Sequence, residues 1–240
     1  MSGFSLKDYS NLLLAFKNAG YVFSRFEEIN SRLEDGRPFV VLRHDIDISL
    51  RAALEIAHLE YEHGVQATYF VLFRSPFYNI LSRSDAEIIQ RIQEYGHRIA
   101  THLDLVAYGN DCAKALMEVE ILSKFYPYVD TEIVSLHSSY DLEHMPIESF
   151  PEINRVYGSS VRGDVAYISD STGRWRYGHP LDSEAFHTHR PIQLLTHPIW
   201  WVQQGETPAK KLDLWLYSDY QNKQRVLREF LPKLFKLNEA

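Results

Sequence analysis

The sequence predicts an α/β fold built on a largely parallel sheet, and three observations carry that prediction. Strand-like apolar runs alternate with helical patterns along the chain, as βαβ units require. Glycines stand where two of the helices should stop, at Gly64 and Gly96. Four of the strand-like runs stay apolar until their carboxy ends and then present His or Asp, in RHDID, ATHLD, SLHSS and LLTHP. In parallel α/β proteins those ends gather at one mouth, where ligands bind. An open doubly wound sheet and a closed barrel both satisfy these observations.

Taken in order, Pro38 to Asp47 (PFVVLRHDID) is apolar and β-branched until charges appear at its end, and reads as a strand. Residues 50 to 61 place Leu50, Ala53, Leu54, Ala57 and Tyr61 on one helical stripe that ends before Gly64. Gln66 to Phe73 (QATYFVLF) is the next strand. Ser84 and Glu87 have the spacing of a capping box ahead of IIQRIQEYG. The strand HRIATHLD follows, then a helix from Asp111 to Phe125, then the strand TEIVSLHSS. After an irregular stretch rich in Gly, Tyr and His, the strand PIQLLTHPIW leads to a carboxy-terminal helix broken or kinked at Pro232. No repeat, low-complexity tract or linker interrupts the pattern, so one domain over 1–240 is expected.

The formal net charge of -7 argues against nucleic acid as a partner, since phosphate binding needs clustered Lys and Arg. The lone Cys112 allows no internal disulfide and suits a reducing compartment. No apolar run approaches the roughly 20 residues that span a bilayer, and the amino terminus lacks the pattern of a secretory signal. A cytoplasmic protein with no membrane span is therefore expected.

A strand has period two, so Asp45, Asp47 and Arg43 share one side of the first strand. Two carboxylates so close resist simultaneous ionisation unless a cation or a donor intervenes. A divalent metal on one, or Arg43 against the other, resolves the repulsion. His102 and Asp104 share one face of their strand, and His137 ends the next one. With Asp47 they offer the mixed nitrogen and oxygen donors that suit zinc. His58, His63, His144, His187 and His189 fall on helical or loop segments and read as surface residues.

The segments LRHDID, GVQATYFVL, GHRIATHLD, ISDSTGRW and LLTHPIWW resemble the NodB-homology polysaccharide deacetylases, carbohydrate esterase family four and its relatives. The likeness runs from the first strand to Trp201 and is closest to divergent members from bacterial surface-polysaccharide clusters. It implies a distorted (β/α) barrel with fewer than eight strands. By that resemblance Asp45 matches the catalytic base, Asp47 the metal-binding Asp, His102 the first metal-binding His and His197 the general acid. Asp170 falls where the family orients this His, and Trp175 where an aromatic shapes the groove. One departure stands out. The family's second metal-binding His, four residues after the first, is Val106 here. His137 is the first choice for the third ligand and Asp104 the second. The family's Arg-Pro motif is also missing, which leaves Arg43 to pair with Asp45.

Trp200 and Trp201 follow the acid directly, and indoles match the apolar face and polar rim of a sugar. As adjacent strand residues their rings should point to opposite sides, one into the site and one into the core. Arg43, Trp175, Trp200 and Trp201 are thus expected on the substrate side. The resemblance implies a metal-dependent hydrolase, with zinc the expected ion, that removes an N-acyl group from a sugar. Acetyl is the expected acyl group, and a nucleotide-linked or lipid-linked precursor of a surface polysaccharide the expected substrate. The alternatives are a C–N hydrolase of the cyclic imidase or allantoinase type, and a barrel that only binds glycan.

Overall fold

The computed structural model of the chain describes residues 3–109, 111–126, 128–137, 156–157 and 163–236. His144 lies outside the described residues. The chain divides into two compact units, Met1–Val202 and Gln203–Ala240. The first unit is α/β. In order it contains α1 (Leu6–Asn18), β1 (Val22–Ser24), α2 (Ile29–Asp35), β2 (Phe39–Ile46) and α3 (Leu50–Glu62). Then come β3 (Thr68–Leu72), α4 (Arg83–Glu94), β4 (Arg98–Leu103), α5 (Cys112–Phe125) and β5 (Val129–Leu136). β6 (Ala166–Ser169), α6 (Glu184–His187), β7 (Ile192–Thr196) and α7 (Pro198–Val202) complete it.

Seven strands form one sheet with the path β5-β4-β3-β2-β7-β6, and β1 pairs with β2 off that path. Every pairing is parallel, and the sheet is not closed among the described residues. All eight residues of β2 are buried, the polar Arg43, His44 and Asp45 among them, and cover on both faces explains the unbroken apolar start Phe39–Leu42. The β4–β5 ladder is irregular: Ala100 pairs with Asp130 but Thr101 with Val134, so β5 advances by four residues while β4 advances by one.

The helices begin on the caps their sequences supply. Ser5, Ser49 and Asp111 accept from the backbone N–H three residues on, at Asp8, Ala52 and Lys114. α4 starts earlier than the Ser84–Glu87 spacing suggests, because Ser82 is the N-cap and accepts from Asp85. Gly64 and Gly96 follow the ends of α3 and α4 with φ of +60 and +88, the left-handed conformation that ends a helix. On α3 the expected stripe needs one correction. Tyr61 is exposed, and Glu60, one residue earlier, is buried in its place.

The second unit contains α8 (Pro208–Phe230) and α9 (Pro232–Lys236), separated at Leu231 just before Pro232. Pro232 has no N–H for the helical ladder, which accounts for the break. Among the described residues, no helix is long and apolar enough to cross a membrane.

Candidate active site

Alternation along β2 divides the polar residues between its two faces. Arg43 and Asp45 point to the side that carries Phe70 of β3, His102 of β4 and Ser135 of β5. His44 points to the other side, against Tyr69, Thr196 and Glu60.

On the first face, Arg43 grips Asp45 with two parallel bonds, Nε to Oδ1 at 3.1 Å and Nη2 to Oδ2 at 2.6 Å. Burial alone would raise the Asp45 carboxyl, but the Arg43 guanidinium and, behind it, His102 hold it below the usual carboxylate range. Asp45 is therefore ionised at neutral pH. The Tyr157 hydroxyl accepts from Arg43 Nη2 at 3.1 Å and from the Leu136 N–H at 3.0 Å, tying β2 to β5.

Just past the end of β2, Asp47 meets two imidazoles. Its Oδ1 lies 3.3 Å from His102 Nε2 and 3.2 Å from His137 Nδ1, and the two nitrogens are 3.3 Å apart. These three residues form a cluster able to hold a metal ion. Their spacing fits one. Donor atoms bonded at 2.0–2.1 Å to a single tetrahedral centre stand roughly 3.3–3.4 Å from one another. The buried Asp47 Oδ1 also has no hydrogen-bond partner despite the two nearby nitrogens, and a buried carboxylate oxygen left so is costly unless a cation completes it. Burial would raise Asp47, but the imidazoles of His102 and His137 and the charge of His197 hold it well below the usual range. Asp104 has left the strand and accepts from the Val106 N–H instead. Val106 is exposed.

His197 follows β7 and leans on Asp170, which follows β6. Its Nδ1 is 2.6 Å from Asp170 Oδ1, and its backbone N–H is shared between both carboxylate oxygens at 3.0 Å. Trp201 donates its indole N–H to Asp170 Oδ2 at 2.8 Å. Burial would lower His197, but the charge and hydrogen bond of Asp170, then Asp47 and Asp45, raise it to about 9. His197 thus carries a proton at neutral pH. Its Nε2 faces the cluster of Asp47, His102 and His137, 3.8 Å from Asp47 Oδ2.

Three expectations about the substrate side are corrected. Arg43 is 1 % exposed and bound to Asp45 and Tyr157, so burial removes it from a substrate's reach. Residues 198–202 are helical, not strand, because Pro198 opens α7 at a position where its missing N–H costs nothing. Trp201 is 2 % exposed, packed on Phe4, Tyr9 and Trp175, and serves as a support for Asp170. Trp200 lines a small recess with Asp45, Asp47, Ser49, His197 and Pro198. Trp175 is half-buried and stacks on Phe4.

Sequence reasoning did not single out Ser135, Tyr157 or the network behind β2. The signal for Ser135 was present, because it lies two residues before His137 on the same strand face. Tyr157 sits 114 residues from the arginine it meets, and nothing local marks it. No protein-family model, curated protein or solved structure matches the chain.

Proposed function

We propose that this chain is a metal-dependent hydrolase that removes an N-acyl group, acetyl in the first instance, from a sugar. One observation carries the reading: a three-residue nitrogen–oxygen cluster able to hold a metal stands between the Asp45 carboxylate, gripped by Arg43, and the His197 imidazole, held by Asp170. Structural zinc sites close all four positions with protein, whereas three ligands leave one for water or substrate. The resemblance to the polysaccharide deacetylases supports the same roles. Seven parallel strands with the polar residues at their carboxy ends suit that family's distorted barrel.

Asp47, His102 and His137 would hold the ion, and zinc matches their donor set. When bound, it supplies the Lewis acidity that polarises an acyl carbonyl and acidifies water. Asp45 accepts the proton of the attacking water. Its bond to Arg43 makes it a weak base. His197 delivers its proton to the departing nitrogen, since an unprotonated amine leaves poorly. Asp170 holds the ring by Nδ1, so the proton to be given sits on Nε2. Trp200 lines the recess but is itself buried at 8 % exposure, so little of its ring is open to a sugar face.

Asp47→Ala and His102→Ala are each expected to lose bound metal while far-ultraviolet circular dichroism stays that of the parent. Full occupancy by elemental analysis in both variants would remove the assignment. Acetate released from an N-acetylated sugar nucleotide supports the reading, whereas ring opening of a small cyclic imide without acetate release favours the allantoinase-like alternative.

A further inference from the structure

Ser135 belongs to neither the ligands nor the acid–base pair, yet it touches both. It is 0 % exposed. Its Oγ lies 2.6 Å from His102 Nδ1 and 3.3 Å from Asp45 Oδ1. A hydroxyl has one proton to give and lone pairs to accept. Asp45, ionised against Arg43, has none to give, and a carboxylate is a better acceptor than an imidazole nitrogen. The Ser135 proton therefore goes to Asp45, and the 3.3 Å contact is a donated, if long, hydrogen bond. The short contact to His102 must then run the other way, from Nδ1–H to the hydroxyl oxygen.

We infer that Ser135 is a positioning residue that sets the tautomer of His102. With the proton on Nδ1, Nε2 keeps its lone pair, and that lone pair faces Asp47 Oδ1 and His137 Nδ1. The chain Asp45–Ser135–His102 thus links the proton acceptor to a metal ligand through one hydroxyl. An outer partner that fixes ring orientation and tautomer is commonly worth 10–100-fold in metal affinity.

The affinity part of this inference rests on the metal-site reading, and the tautomer part does not. In the metal-free parent, nitrogen-15 shifts of His102 followed upward in pH until the ring is neutral should show the proton on Nδ1. A proton on Nε2 overturns the inference, whatever the protein does with metals. In Ser135→Ala, Zn²⁺ affinity measured by chelator competition should fall about 10–100-fold, and Ser135→Thr should restore most of it. Unchanged affinity in Ser135→Ala, alongside lost binding in His102→Ala, overturns the role of Ser135 and leaves the metal site standing. A parent that binds no Zn²⁺ overturns the metal-site reading, and the tautomer still decides Ser135.

Discussion

Asp45→Asn should leave metal content at the parent level and lower turnover by about 10²–10⁴-fold. The amide keeps the size of the carboxylate and one acceptor oxygen for Arg43, but it cannot take a proton from water. His197→Ala should fall by a similar factor, because no other group among the described residues holds a proton at that position on the cluster. The two losses differ in their pH signature. The acid limb of the rate profile belongs to Asp45, which Arg43 keeps below the usual carboxylate range. The alkaline limb belongs to His197, which Asp170 keeps above the usual imidazole range. Each variant should lose one limb and keep the other. Normal turnover in either takes that residue out of the mechanism.

The largest effect on stability is expected on the opposite face of β2, at Glu60. This carboxylate is 0 % exposed. Its Oε1 accepts from Tyr9 at 2.5 Å and pairs with His44 Nε2 at 2.8 Å, and its Oε2 accepts from Tyr69 at 2.6 Å. His44 reaches on to Thr196 at 2.8 Å, so the cluster joins α1, α3, β2, β3 and β7 on the face of β2 opposite Asp45. Glu60→Ala strands all three partners without an acceptor and should cost about 3–5 kcal/mol in urea unfolding. A cost under about 1 kcal/mol would show that the cluster does not hold these elements together.

The same residue has a pH signature. Burial would raise Glu60, but the charge and hydrogen bond of His44, then His97 and Tyr69, hold it below its ordinary value. A carboxyl lowered by folding stabilises the native state above its unfolded value of about 4.3 and loses that contribution as pH falls through the lower folded value. Glu60→Gln has no such contribution to lose. The stability gap between parent and Glu60→Gln should be widest near neutrality and narrow below about pH 4.

How far such features could be read from residues alone follows from the range of the forces behind them. The ligand trio was within reach, because period two along a strand fixes which side chains share a face and the strands are parallel. The start of α4 was ambiguous on local grounds: Ser82 with Asp85 and Ser84 with Glu87 have the same spacing, and only the fold uses the first. Glu60 defeats a hydrophobic stripe for a long-range reason. The tyrosine that makes it tolerable inside comes from 51 residues away. β6 is only four residues long and none of them is fully buried, so its short apolar run VAYI did not stand out as a strand. The two tryptophans were assigned to a strand because Pro198 was read as part of a strand that ends, rather than as the opening of a helix.

The irregular step in the β4–β5 ladder makes chain length a sensitive property of residues 131–133. With regular pairing from Ala100 and Asp130 onward, His102 would stand beside Glu132. Ser135 and His137 would then lie roughly 10 Å too far along, at 3.3 Å per residue. Three extra residues is an odd number, so the step also inverts which face each later side chain occupies. Loss of one residue there turns Ser135 and His137 away from His102, and loss of two keeps the face but slides both by roughly 6–7 Å. Thr131 and Glu132 are exposed, whereas Ile133 is buried in the core. If the cluster of Asp47, His102 and His137 holds a metal as proposed, a single deletion should abolish its retention, which elemental analysis reads directly.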